Sequence, residues 1–188
     1  MVIGVGELRR GITIEIEGEP YQVVDFNQHK MQQRAPVIKL RLKGLRSGRT
    51  IDRTFSGYDV KLSLAPVEQR PAQYIYQDGD LYYFMDTNTY EQGPLTREQL
   101  GDAVQYLKEQ IELDVIYFRG APIAVELPTF IELRVTDTPP GIKGNTAQGA
   151  TKPATLETGI AVNLPFFINV GDVVRVDTRT GQYLERAK

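Results

Sequence analysis

Apolar and polar residues alternate with a period of two along much of this chain. The clearest examples are "ITIEIE" at residues 12–17 and "VIKLRLK" at residues 37–43. Successive side chains of a β-strand point to opposite faces, so the alternation predicts strands that bury one face and expose the other. Turns follow at short intervals, as in "EGEP" and "RSG". Short strands at this spacing favour small barrels over a sandwich, and we expect an all-β chain, mainly β with one short helix.

The middle of the chain supplies that helix and a hairpin. The segment "TREQLGDAVQYLKEQI", residues 96–111, carries an apolar stripe at helical spacing. Thr96 and Gln99 have the spacing of a capping box at its start. Before it, "QYIYQDGDLYYFMD" places two apolar runs around Asp78 and Gly79, a dipeptide typical of hairpin turns.

Charge is distributed unevenly along a chain whose net charge is -2. Residues 1–64 carry 11 basic and 7 acidic side chains, residues 65–128 carry 4 and 11, and residues 129–188 carry 7 and 6. The limits follow turn-rich stretches, "SLAPVEQRPA" and "ELPTF". We therefore expect three small β-barrels in series at 1–64, 65–128 and 129–188. The first has a surface that attracts polyanions.

The positive charge is concentrated in residues 26–55, which hold eight Lys or Arg and one acid, Asp52. Alternate residues of a strand lie roughly 6.6 Å apart on one face, close to the spacing of successive phosphates in a nucleic-acid strand. A solvated basic face and a membrane headgroup site are the alternatives. We favour polyanion binding because a solvated face usually mixes both signs. The candidate phosphate-binding residues are Lys39, Arg41, Lys43, Arg46, Arg49 and Arg53.

The polar stretch "NQHKMQQRA", residues 27–35, lies between two predicted strands and is expected to form a hairpin tip. Nine residues folded back on themselves project on the order of 13 to 15 Å. A loop without a role is the alternative, although loops of this length are often functional. We interpret it as a basic finger that probes RNA, with a tip made of Lys30, Met31, Gln32, Gln33 and Arg34.

Catalytic residues are scarce. Cys is absent and His29 is the only histidine, so a Ser-His-Asp triad, a thiolate site and a His-rich metal site all lack material. Paired acids such as Asp78 and Asp80 are explained by turn chemistry. No apolar stretch approaches a membrane span and no signal peptide begins the chain. We expect a cytoplasmic protein that is not an enzyme and has no metal or cofactor.

Long motifs from residue 82 onward resemble bacterial translation elongation factor P. They are "YYFMDTNTYEQ", "DTPPGIKGNTA" and "KPATLETGIAVNLPFFINVGDVVRVDTRTGQYLERAK". The family signature K-x-A-x4-G-x2-[LIV]-x-V-P-x2-[LIV]-x2-G is met except that Leu164 replaces the usual Val. The matching residues are Lys152, Ala154, Gly159, Val162, Pro165, Ile168 and Gly171. The resemblance covers essentially the whole chain.

The resemblance implies a KOW/SH3-like first barrel followed by two OB-folds. It also implies a monomer that binds both ribosomal subunits between the P and E sites, beside the P-site peptidyl-tRNA and ribosomal RNA. Such a factor stimulates peptide-bond formation and relieves stalling at consecutive prolines. A generic OB-fold protein that binds single-stranded RNA is the competing reading. The net charge of -7 in the middle unit counts against a protein that coats RNA.

Family members carry a Lys or Arg at the finger tip that often receives a covalent extension. Here Gln33 occupies that slot and cannot accept it, so either the finger works unmodified with Arg34 as its cation or Arg34 has taken the modified role. The resemblance also implies RNA contacts from the last barrel. Their candidates are Gly144, Asn145, Thr146, Tyr183 and Arg186, with Asn145 where Asp is usual.

Overall fold

The computed structural model describes residues 1–29, 35–140 and 151–187. Its first sheet contains six antiparallel strands in the order β1-β6-β2-β3-β4-β5. The strands are β1 Val2–Gly4, β2 Thr13–Ile16, β3 Glu19–His29, β4 Val37–Gly44, β5 Thr50–Ser56 and β6 Lys61–Leu64. Both alternating stretches of the sequence form strands, as expected. The stretch predicted as a hairpin tip, residues 27–35, begins too early, because β3 continues through Asn27 to His29.

One face of this sheet forms an apolar core. Ile14, Val23, Ile38, Leu40 and Leu42 are each at most 1% exposed, and Ile3, Leu8 and Leu62 complete the buried cluster. Burial of each such aliphatic side chain contributes about 1.5–3 kcal/mol. The alternation in β4 therefore decides which of its side chains are left in solvent.

The second sheet has five strands in the order β11-β10-β7-β8-β9. They are β7 Val67–Asp78, β8 Leu81–Asp86, β9 Gln92–Thr96, β10 Glu112–Phe118 and β11 Ala121–Glu126. The predicted hairpin is confirmed, with Asp78 paired to Leu81 and Gly79 at φ 57° in the turn.

The helix between β9 and β10 begins as predicted but ends early. Thr96 and Gln99 form the capping box, with the Thr96 Oγ1 accepting from the Gln99 N–H and the Gln99 Oε1 accepting from the Thr96 N–H. The helix α1 spans Arg97–Leu100, and a 3-10 segment follows at Gly101–Tyr106. A continuous helix to residue 111 is wrong, because Gly101 adopts φ 53°, which leaves the helical path.

The third sheet has five antiparallel strands in the order β14-β13-β12-β15-β16. They are β12 Phe130–Asp137, β13 Thr151–Leu156, β14 Ala161–Pro165, β15 Val173–Asp177 and β16 Tyr183–Arg186. In chain order, the second and third sheets share one arrangement, in which the first strand lies centrally between the second and the fourth. The fully buried side chains here are Leu133, Val135, Leu156, Leu164, Ile168, Val174 and Val176.

One turn design is used twice, in "DTNTYE" after β8 and in "DTRTGQ" after β15. In the second turn, the Asp177 Oδ1 accepts from the Arg179 and Thr180 N–H groups, and the Gly181 N–H donates to the Asp177 carbonyl oxygen. Hydrogen bonds from Arg179, first from its side chain and then from its backbone, lower the pKa of Asp177 to about 2. The fifth position has positive φ in both turns, and it is Tyr90 in the first.

The described chain groups into two compact units. The first comprises Met1–Pro71, Pro94–Gly101 and Asp114–Val125, and the second comprises Ala72–Gly93, Asp102–Leu113 and Glu126–Lys188. In the described residues, every helix is too short and too polar to cross a membrane.

We predict that Gly181→Ala lowers the free energy of unfolding by about 1–2 kcal/mol. At φ 70° a side chain is strained, and an added Cβ would lie 3.3 Å from the Tyr106 Oη. Urea unfolding measures the change. The matched control is Gly93→Ala, where nothing lies within 4 Å of an added Cβ. Equal loss in both variants would contradict the turn-specific explanation.

Candidate nucleic-acid interface

The exposed face of strands β3, β4 and β5 presents the basic residues that the alternation predicts. Lys39, Arg41 and Lys43 all lie on this face, because Ile38, Leu40 and Leu42 between them are buried in the core. Thr54, Asp52 and Thr50 of β5 lie opposite these three basic residues. We call this surface the basic face and define it by Lys39, Arg41 and Lys43 with their cross-strand neighbours.

A bulge in β3 brings a carboxylate into the centre of the basic face. The pairing steps from Val23 opposite Leu42 to Asp25 opposite Arg41, which leaves Val24 as the extra residue. Without this bulge, Val24 would lie opposite Arg41 and Asp25 would point to the core side. The bulge therefore sets Asp25 on one side of Arg41 while Asp52 lies on the other.

The four charges at the centre alternate in sign. The Arg10 Nη2 lies 2.7 Å from the Asp25 Oδ1, and the Arg41 Nε lies 3.2 Å from the Asp52 Oδ1. The hydrogen bond from the Arg10 side chain, with one from the Phe26 backbone, lowers the pKa of Asp25. The hydrogen bond to Asp52 raises the pKa of Arg41. All four side chains are more than half exposed, so solvent screens these interactions and the stability they contribute is small.

Lys39 and Lys43 differ from Arg41 in their contacts with carboxylates. Within the described ranges, no carboxylate lies within 4.0 Å of either ammonium group. Their cross-strand neighbours are neutral: Asn27 and Thr54 beside Lys39, and Gln22 and Thr50 beside Lys43. The two lysines therefore supply the unneutralised charge of the face, on either side of a charge-balanced centre.

The other three predicted phosphate ligands lie elsewhere. Arg53 pairs with Leu40, so it projects from the opposite side of β5, where its Nη2 lies 4.0 Å from the Glu17 Oε2. Arg46 and Arg49 belong to the turn between β4 and β5. The Arg46 Nε lies 3.5 Å from the Glu19 Oε2, and the Arg49 N–H donates to the Ser47 Oγ. Three of the six residues thus share the basic face.

The predicted finger tip, Lys30 to Arg34, lies outside the described residues. The described strands on either side of it are neighbours, and they pair antiparallel as far as His29 opposite Val37. The face that carries Lys39 therefore continues along both strands to this end of the hairpin.

The candidates in the last barrel fall in two groups. Gly144, Asn145 and Thr146 lie outside the described residues. Tyr183 is half-buried opposite Val176 in β16, and the exposed Arg186 has its Nη1 4.0 Å from the Asp172 Oδ2. Arg186 is therefore open to solvent beside a single distant carboxylate.

The described part of the chain contains no group of three His, Cys, Asp or Glu side chains placed to hold a metal ion. The two residues of the central charge network that sequence reasoning missed are Arg10 and Asp25. In the sequence, charge was the only indication that these two residues belong to the network, since their proximity depends on strand pairing and on the bulge.

Comparisons with known proteins match the chain to one family along its length. The "Elongation factor P (EF-P) KOW-like domain" matches residues 4–60, the "Elongation factor P (EF-P) OB domain" matches 67–125, and "Elongation factor P, C-terminal" matches 131–186. The chain belongs to the elongation factor P family. This confirms the resemblance seen in the sequence.

Individual relatives of the elongation factor P family match over nearly the full chain. Elongation factor P of Carboxydothermus hydrogenoformans is 51% identical over 185 residues, covering 98% of this chain and 100% of the relative. That of Thermodesulfovibrio yellowstonii is 46% identical over 187 residues, covering 100% of both. The chain is therefore a member of a family of translation factors.

A solved structure supports the fold. Eukaryotic translation initiation factor 5A from Methanococcus jannaschii matches with a TM-score of 0.53 and 22% identity, covering 66% of this chain and 93% of that one. Together with the matched KOW-like and OB domains, this confirms the predicted all-β class of small barrels, KOW-like first and OB-type after it.

We predict that Asp52→Asn strengthens binding to heparin by about two- to threefold at low salt. The change removes the carboxylate beside Arg41, and it should leave the strand pairing intact. Elution salt from a heparin column and titration with labelled heparin measure the effect.

The control is Asp59→Asn, which makes the same charge change beside Lys61, at 3.4 Å, in the segment before β6. A similar gain in the control would mean that net charge, and not the pairing of Arg41, sets the affinity.

Proposed function

We propose that this chain binds the ribosome between the P and E sites and stimulates peptide-bond formation, relieving stalling at consecutive prolines. The observation that carries the proposal is the basic face of β4, in a chain that belongs to the elongation factor P family. The face would track the backbone of the P-site peptidyl-tRNA and the neighbouring ribosomal RNA. The chain would act in the cytoplasm as a monomer.

Phosphate contacts would be made mainly by Lys39 and Lys43, because no carboxylate of the described residues lies within 4.0 Å of their ammonium groups to compete with a phosphate. Arg41, paired with Asp52 and next to Asp25, would form a charge-balanced centre between the two lysines. This centre would limit non-specific adhesion to RNA. This arrangement positions a nucleic-acid backbone without reading bases. Arg46 and Arg53, which already contact glutamates, would contribute less.

The finger, Lys30 to Arg34, would reach the acceptor end of the tRNA at the peptidyl-transferase centre. Because Gln33 occupies the usual modification slot, we propose that Arg34 supplies the cation there. Gly144, Asn145 and Thr146 would approach the small subunit, and Tyr183 and Arg186 would contact RNA. Domain limits of 1–64, 65–128 and 129–188 are part of the same proposal, and each matched family segment falls inside one of them.

The mechanism would be positional. The proline ring restricts the backbone and makes proline a poor partner in peptide transfer. A factor that steadies the tRNA favours a near-attack arrangement of the ester and the amine. A tenfold gain in rate needs about 1.4 kcal/mol, which a few oriented contacts supply. The bond-forming chemistry would remain with the ribosome, and the chain itself would catalyse nothing.

The competing function, coating of free single-stranded RNA, makes a different demand. It requires an electropositive surface along all the barrels. Residues 65–128 carry 11 acids against 4 bases, which favours a partner of mixed charge. Sedimentation with ribosomes in the presence of excess free RNA separates the two functions.

The test is in vitro translation of a message with three consecutive prolines. We expect the wild type to relieve stalling, and the double variant Lys39→Gln, Lys43→Gln to need about tenfold more protein for half-maximal effect. Two lost phosphate contacts should also flatten the salt dependence of ribosome binding by about 1.5 in log K per log salt. Arg34→Ala should lower the maximal rate.

The matched control is Lys61→Gln with Arg97→Gln, which makes the same charge change on exposed residues of β6 and α1. The proposal fails if the wild type gives no relief while other messages translate well. It also fails in its structural part if the control pair loses as much as the β4 pair.

A further inference from the structure

The turn between β10 and β11 holds an arginine in a conformation that arginine disfavours. Arg119 has φ 52° and the next residue, Gly120, has φ 80°. Two-residue hairpin turns with both φ values positive strongly prefer Asn-Gly, Asp-Gly or Gly-Gly. A side chain kept in a strained position points to a role for that side chain.

The side chain of Arg119 reaches back to the first sheet. Its Nη2 lies 2.6 Å from the Glu15 Oε1. Glu15 belongs to β2, and its side chain is only 21% exposed. The guanidinium carbon of Arg119 also lies 5.1 Å from the centre of the Phe118 ring.

A second arginine contacts the same ring from the first sheet. The guanidinium carbon of Arg46 lies 5.8 Å from the centre of Phe118, and its Nε lies 3.5 Å from the Glu19 Oε2. Phe118 itself is 1% exposed. We call these five residues, Glu15, Glu19, Arg46, Phe118 and Arg119, the Phe118 clasp.

The clasp is joined to a buried apolar cluster through Phe118. Phe118 is part of a buried cluster with Ala65, Ile116, Ile123 and Ala124. Leu45, the neighbour of Arg46 in the turn after β4, packs against this cluster together with Val67. Leu45 and Arg46 therefore join the turn that follows the basic face to the β10–β11 hairpin, and Arg119 joins the same hairpin to β2, all within the first compact unit.

We propose that Arg119 is a positioning residue, which holds the first sheet and its basic face in one orientation relative to the β10–β11 hairpin. This inference rests on the proposed function for its biological consequence. Strain at Arg119 roughly offsets the gain from a half-exposed ion pair and a cation–π contact, so the net effect on stability is small. The contribution of Arg119 is orientation, which lowers the cost of docking on a large partner.

The test uses Arg119→Asn, because Asn tolerates the left-handed conformation and keeps the turn while the reach to Glu15 is lost. The control is Tyr90→Asn, the same kind of change at another exposed turn residue with positive φ, 61°, outside the clasp. Residual dipolar couplings are measured for backbone amides of β4–β5 and of β10–β11 in the full chain. One alignment tensor should fit both groups in the wild type and in the control, and two should be needed in Arg119→Asn.

The thermal midpoint of Arg119→Asn should stay within a few degrees of the wild type. In the triple-proline assay, its half-maximal concentration should rise on the order of three- to tenfold, with the maximal rate at saturation unchanged. Glu15→Gln should act alike, and adding it to Arg119→Asn should cause no further loss, since both changes remove one contact.

The outcomes separate the two proposals. If one alignment tensor still fits both groups of amides in Arg119→Asn, the proposal that the clasp orients the first sheet is overturned, whatever the result of the translation assay. A loss of activity with unchanged alignment also overturns it, because Arg119 would then contact the ribosome directly. If the wild type fails to relieve stalling, the proposed function is overturned, and the alignment data still decide the role of the clasp.

Discussion

The buried alternation of β4 is the constraint on which the rest of the first unit depends. Ile38, Leu40 and Leu42 are each at most 1% exposed, and they hold the strand in one register between β3 and β5. A slip of one residue would bury Lys39, Arg41 and Lys43 and expose the three aliphatic side chains. The cost of burying three unpaired charges excludes that register. The core therefore dictates the positions of Lys39, Arg41 and Lys43.

The register also controls how much of the positive charge of the basic face is left without a neighbouring carboxylate. The bulge at Val24 places Asp25 next to Arg41, and the β5 pairing places Asp52 on the other side. Among the described residues, Lys39 and Lys43 have no carboxylate within 4.0 Å, and the charge-balanced centre lies between them. Under the proposed function, a face built this way would attract phosphates at two positions and adhere weakly elsewhere, so that the chain could enter and leave a crowded RNA site.

Much of this architecture could be predicted from residues whose structural role is set by their near neighbours in the sequence. The Thr96–Gln99 capping box, the Asp78–Gly79 turn and the strand at 37–43 depend on near neighbours, and each was found where expected. The end of α1 was missed because a glycine inside an apolar stripe does not reveal its φ. The partners of Arg41 and the opposite orientation of Arg53 were missed because they depend on pairing between strands and on a bulge. The sequence pattern gives the face of a residue within its strand, whereas its neighbours across the sheet need the structure.

The central claim is that the basic face lies against the P-site tRNA during peptide transfer. The chain has no cysteine, so a single introduced cysteine carries a probe at one known place. Benzophenone attached at Lys39→Cys, on ribosomes stalled at three prolines, should crosslink to the peptidyl-tRNA. The same probe at Lys61→Cys, three strands or roughly 14 Å away across the sheet, should crosslink far less. Equal crosslinking from both positions, or none to tRNA from Lys39→Cys while the protein is ribosome-bound, would contradict the account.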